Sequence, residues 1–353
     1  MTSRLRHHRQ RPQVRGERAP WPGHRARAGL LAAVLTCAAL LTACGAGNDS
    51  ANPSAKADSV SGFPVTVTSC GRTVTFKAPP QRVVILSPMI ARDLVALGVA
   101  DRVVGQSGTD YFSPPPQTAK APVLSKENLT STESILGASP DLVISDLAYR
   151  LDPAQKGASL DQLKQAGIQS YVAAAGCTAN YTEGRFTDVF TDLENLGKIF
   201  GVHAKAKELT DKLKAEVADV ERRVAGQPEV SVFEGTMYGD QFYPVVGIGL
   251  EALDMAGGKS MFPVVKDPNA NISKEEITAR DPQAFIFQSS YPRTVDQQKE
   301  AANIKATFPT TAAVRNNRIY SIGYFSSTLP GSAIETVASL RQVAQFLHPT
   351  VFQ

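Results

Sequence analysis

Histidine is nearly absent from the body of this chain. Of its five histidines, His7, His8 and His24 fall within the first 27 residues, leaving only the widely separated His203 and His348. Two isolated imidazoles do not make a His-rich zinc site and leave no partner for most His-dependent triads. The glycine loops that hold nucleotides are missing as well. Gly258-Lys259-Ser260 has the end of a phosphate loop, but Leu253 stands where its first glycine belongs. Gly247-Ile248-Gly249 lacks the third glycine of a dinucleotide fingerprint. These absences point away from catalysis and toward binding, with an extracellular enzyme on a bilobed scaffold as a remote alternative.

Net positive charge also disappears once the first residues are set aside. Residues 1–27 carry eight arginines against Glu17, a net +7, so the +4 of the whole chain leaves −3 for the remainder. The basic pI therefore describes the N-terminus and gives no support to nucleic-acid binding. An apolar run from Ala28 to Leu41 follows, and then Thr42-Ala43-Cys44-Gly45. A basic segment, a short apolar run and small residues form a secretory signal, too short for a comfortable membrane span. No Arg-Arg pair precedes the run, which favours general secretion over twin-arginine export. Leu41-Thr-Ala-Cys44 resembles the lipobox of bacterial lipoproteins, which implies a lipid on Cys44 and removal of residues 1–43. An ordinary signal peptide or an uncleaved anchor is the alternative. With Cys37 in the signal and Cys44 lipidated, Cys70 and Cys177 remain. An even pair in an oxidising compartment is expected to form a disulfide, two separate thiols being the alternative.

Punctuation and period divide the rest. Residues 44–61 are small and polar and read as a flexible tether. Residues 62–186 alternate strand and helix signals, beginning with a hairpin around Cys70-Gly71 and the buried run Arg82–Leu86, as in an α/β lobe with a mainly parallel sheet. Residues 187–226 are helical throughout, with Leu209, Leu213, Val217 and Val220 on one stripe, and read as a connecting spine. Residues 227–353 return to strand–helix alternation, a second α/β lobe. One pattern occurs in both lobes: Glu133 lies seven residues before Pro140 and Glu275 seven before Pro282, each followed by a short apolar run. The two copies are 142 residues apart, about one domain's length.

The lipobox, the two lobes joined by one long α-helix and the paired Glu-to-Pro motifs together resemble the substrate-binding lipoproteins of ABC importers. The likeness is to the iron-siderophore and cobalamin branch, which has a helical backbone and the class III periplasmic-binding-protein fold. Pro140-Asp-Leu-Val-Ile144 and Ala256-Gly-Gly-Lys-Ser-Met-Phe262 carry the likeness locally, and it extends from about Phe63 to Leu347. It implies a monomer, held to the membrane by its N-terminal lipid, that captures a ferric siderophore, or alternatively cobalamin or haem. It implies no cofactor, iron entering only within the siderophore. It further implies that Glu133 and Glu275 dock onto the two subunits of an ABC permease, with Glu276 leaving the second assignment open by one residue. Helix capping is the plainer account of the same acids, since Thr130-x-x-Glu133 and Ser273-x-x-Glu276 both fit a capping box. Ligands of such folds sit beyond the carboxyl ends of the strands, between the lobes. The residues placed there are Ser87, Met89, Tyr111, Lys126, Tyr149 and Arg150 in the first lobe. In the second they are Tyr238, Phe242, Tyr291, Arg293 and Tyr324. Tyrosines suit a large, partly apolar chelate, and Arg150 or Arg293 is expected to meet an anionic centre.

Overall fold

The structure is a computed structural model that describes residues 61–177, 183–238, 240–263, 271–288, 297–322 and 331–353. The signal, Cys44 and the tether up to residue 60 lie outside the described residues. Among the described residues no helix is long and apolar enough to cross a membrane.

Strands β1 (Val65–Ser69) and β2 (Arg72–Phe76) form the expected antiparallel hairpin, turning at Cys70-Gly71 where both residues have positive φ. The first lobe follows with β3 (Val83–Ile85), α1 (Pro88–Leu97), β4 (Val103–Ser107) and β5 (Val123–Ser125). It continues through α2 (Thr132–Gly137), β6 (Leu142–Ser145), α3 (Leu160–Gln165) and β7 (Gln169–Val172). Its sheet is wholly parallel in the order β5-β4-β3-β6-β7. Cys70 and Cys177 are joined in a disulfide that pins the hairpin turn to the chain just beyond β7.

Two helices lead out of this lobe, α4 (Asp188–Phe200) and α5 (His203–Val224). Gly201, left-handed at φ 72°, ends the first, and the chain turns straight into the second. They pack against each other so closely at Gly197 that a β-carbon there would overlap Ala206. The long helix is thus α5 alone, 22 residues or about 33 Å. Its buried stripe is Ala206, Thr210, Leu213, Val217 and Val220, with Leu209 only partly covered.

The second lobe contains β8 (Val230–Tyr238), β9 (Gln241–Pro244), α6 (Ile248–Met255), β10 (Gly258–Ser260) and α7 (Lys274–Arg280). Then come β11 (Ala284–Gln288), α8 (Gln297–Thr307), α9 (Ala312–Arg315), β12 (Ile319–Ile322) and α10 (Ala333–Leu347). The order β10-β8-β11-β12 repeats β4-β3-β6-β7 of the first lobe, with β9 added antiparallel to β8. In both lobes the first strand is central, and the sequence order reverses between it and its neighbour, β6 or β11. A reversal of this kind opens a crevice at the carboxyl ends of the two strands.

Alternation along the strands sorts side chains into three cores. Val83, Ile85, Leu142 and Ile144 of the first sheet, and Val230, Val232, Ala284 and Ile286 of the second, join one cluster. The same cluster holds Leu94 of α1, Phe190 of α4, Leu213 of α5 and Leu340 of α10. The opposite faces form separate cores, Val84, Leu86 and Val143 on one side and Phe233, Phe285 and Phe287 on the other. Both sheets therefore bury one face on a shared helical layer, which explains why their strands read as continuous apolar runs.

Candidate functional site

At the carboxyl end of β6 the chain turns tightly on Ser145, whose hydroxyl donates to the Leu147 carbonyl at 2.8 Å. Asp146 is then fully buried and Arg150 only 1% exposed. The guanidinium spends its donors inside the protein. Nε and Nη2 meet the two Asp146 oxygens at 2.6 and 3.0 Å, and Nη1 donates to the Asn128 carbonyl and side-chain oxygen at 2.7 and 2.8 Å. Burial pulls the Arg150 pKa down, but Asp146, with smaller help from Tyr149 and Tyr111, more than reverses it. Arg150 stays charged and paired. Its guanidinium lies 5.5 Å from the Tyr149 ring. Tyr149 and Tyr111, both partly exposed, rest on Met89, Phe112 and Leu147. Burial raises the pKa of Tyr149, so its hydroxyl stays neutral.

This geometry corrects several expectations. Arg150 presents no free charge to a ligand, because a buried cation is tolerated only when paired. Ser87 is completely buried and serves as N-cap of α1, accepting from the Met89 amide at 3.4 Å. Met89 is 3% exposed and supports the tyrosines from below. Phe242 lies inside the second lobe, edge-on to Phe233 and to Phe308, whose ring centroid is 5.1 Å away. It faces its own core, since β9 turns back over β8. Lys126 is exposed on the rim, where its carbonyl accepts from the Asp110 amide. Tyr291, Arg293 and Tyr324, and the side chain of Tyr238, lie outside the described residues.

The second lobe meets the first through a carboxylate that sequence reasoning missed. Asp93 of α1 is 1% exposed and receives the start of α10: Ser332 Oγ at 2.8 Å, the Ala333 amide at 2.9 Å and the Ile334 amide at 3.4 Å. Burial pushes its pKa up to about 6, against the opposing pull of these donors. Arg92 and Glu335 form an ion pair of 2.9 Å between the same two helices. Gly331, just before α10, lies so near Asp146 and Met89 that a β-carbon there would be 3.2 and 3.4 Å from theirs. The carboxyl ends of β3 and β6 thus face the entry to α10. The available signal was an acid set among Ile90, Leu94 and Leu97 on an apolar helix face. A second buried acid, Asp192, accepts from Tyr171 at 2.6 Å and the Ala174 amide at 2.8 Å, and burial pushes it up to about 7.

The paired glutamates occupy matching places. Ser131 caps α2 by accepting from the Ser134 amide, and Ser273 caps α7 by accepting from the Glu276 amide. Glu133 and Glu275 are each the second residue of their helix. Thr130 is therefore not the cap; its hydroxyl donates to Ser107 Oγ in the interior at 2.7 Å. Glu276 is held by Arg280 at 2.9 Å, and Arg280 also covers the Phe262 ring. Glu275 is the structural counterpart of Glu133, and both are exposed. Its own amide and the Ser131 hydroxyl lower the pKa of Glu133, keeping it ionised.

Comparison with known proteins agrees with this architecture. The family model described as periplasmic binding protein matches residues 83–324. The uncharacterized ABC transporter substrate-binding lipoprotein YvrC of Bacillus subtilis is 24% identical over 344 residues, covering 93% of this chain and 99% of that one. A cobalamin-binding protein of Halobacterium salinarum is 26% identical over 276 residues, 76% of this chain and 69% of that one. The crystal structure of an ABC-type Fe3+-hydroxamate transport system from Saccharomonospora viridis has a TM-score of 0.66 at 23% identity, covering 81% of this chain and 99% of that one.

Proposed function

Because this chain belongs to the periplasmic binding protein family, we propose that it is the extracytoplasmic receptor of an ABC importer, anchored by a lipid on Cys44. It captures a ferric siderophore between the lobes, delivers it to the permease and performs no chemistry on it. The observation that carries the hand-over is the equivalence of Glu133 and Glu275, two exposed carboxylates at one position of duplicated helices. Two such anions can each pair bidentately with a permease arginine, and together they fix register as well as attraction. Tyr111 and Tyr149 supply flat, partly exposed faces on the first-lobe side of the cleft.

Cobalamin is the second reading, favoured by the cobalamin-binding relative that aligns with three quarters of this chain. A binding panel of ferric hydroxamate, ferric catecholate, cobalamin and haem separates the two. Tight binding of cobalamin with no siderophore bound would replace the first reading by the second. For the hand-over, Glu133→Ala combined with Glu275→Ala should abolish uptake while the purified protein keeps its ligand affinity. Lost affinity in that variant would assign the glutamates to the fold or the pocket instead.

A further inference from the structure

The interior pairing of Arg150 has a consequence for which ligand the site accepts. Asn128 belongs to the segment that runs beside the loop bearing Tyr111, where the Gly108 amide donates to the Glu127 carbonyl and the Asp110 amide to the Lys126 carbonyl, each at 3.0 Å. Arg150 bonds that segment from below and Asp146 from within its own turn, so it ties together the two stretches of chain that present Tyr111 and Tyr149. Asp146 is fully buried and cancels the guanidinium charge where it stands. On the rim, the exposed Lys126 shares its two bonded segments with Asp110 and Glu127, so these three residues carry no net positive charge.

We propose that the first-lobe wall of the cleft is an uncharged aromatic surface held in place by Arg150 as a positioning residue, and that it selects a neutral chelate or corrinoid face over an anionic one. This rests on the receptor reading above. Among the described residues, a polyanionic complex entering against Tyr111 and Tyr149 meets no net positive charge to replace its lost hydration, whereas a neutral complex has little hydration to lose. The aromatic faces remain to cover its apolar surface.

The test uses the purified full chain with three probes: ferrichrome, a neutral ferric trihydroxamate; ferric enterobactin, a trianionic tris-catecholate; and cyanocobalamin, which is neutral. Wild type should bind one of the neutral probes at least about tenfold tighter than the trianion, the scale of one lost charge interaction. Asp146→Asn leaves the guanidinium unbalanced and should narrow that ratio about tenfold or more in the trianion's favour. Asp146→Asn with Arg150→Gln removes both charges and should restore the wild-type ratio. It should also speed amide exchange at Gly108 and Asp110 in the ligand-free protein, because the strut is gone. A wild-type preference for the trianion that the double variant abolishes would overturn the proposal and make Arg150 the ligand's counter-ion. If wild type binds none of the probes, the receptor reading fails for these ligands, and exchange decides the strut: faster at Gly108 and Asp110 supports it, unchanged rates refute it.

Discussion

Folding and protonation are linked at Asp93 and Asp192. Both are buried, with pKa values pushed from 3.8 up to about 6 and about 7. A carboxyl group raised on folding holds its proton better in the folded state than in the unfolded one. Its favourable contribution is complete below pH 3.8 and is lost as pH rises through the folded value. The stability of wild type minus that of Asp192→Asn should therefore be flat below about pH 4 and fall toward pH 7, by at most about 1.4 kcal/mol per pH unit. Urea titrations at a series of pH values measure this, and a difference that rises with pH would contradict the assignment. For Asp93, Asp93→Ala strips the start of α10 of its acceptor and should cost about 1–3 kcal/mol, read from the urea midpoint. Local pattern does not fix the role of either acid, because burial, and partners 239 residues from Asp93 and 18 and 21 residues from Asp192, are properties of the folded chain.

Among elements, the crossing of α4 and α5 depends on one missing side chain. Gly197→Val would drive a branched group into Ala206 and should destabilise the protein by about 2 kcal/mol, with Ala206→Gly restoring part of the loss. Additive effects of the two changes would mean that the helices do not touch there. The hairpin is fastened twice, by the Cys70–Cys177 disulfide and by Ser69, whose hydroxyl accepts from the Val172 amide at 2.8 Å and donates to its carbonyl. The disulfide spans 107 residues, and replacing both cysteines by serine should cost about 2–5 kcal/mol in denaturant unfolding. Elements of this kind were mostly legible. The run Arg82–Leu86 and the turn at Cys70-Gly71 both follow from local pattern. The capping of α2 was misread by one residue, because Thr130 and Ser131 are equally good caps and only packing against Ser107 chooses between them.

For the whole molecule, the shared helical layer limits how far the lobes can move. Both sheets bury a face on α1, α4, α5 and α10, and the Asp93 contact and the Arg92–Glu335 pair add a second joint beside the covalent one. Closure by a wide hinge would have to break that common core. Small-angle scattering should thus show little change in radius of gyration when ligand binds, and a marked compaction would contradict the shared layer as a rigid body.

By itself the sequence determined the two α/β lobes, the order of their elements, the long helix and the duplicated Glu-to-Pro positions. Each of these is written in short-range periodicity, turn residues or repeated spacing. The tertiary structure decided what the side chains at the strand ends do. Arg150, Ser87 and Phe242 have the composition of ligand contacts but point into the protein, whereas Tyr111 and Tyr149 remain partly open. It also sets Glu275, and not Glu276, at the helix position that Glu133 occupies in the first lobe, while Arg280, one turn further along, holds Glu276. Orientation and pairing arise from contacts between distant segments, and a local pattern cannot carry them.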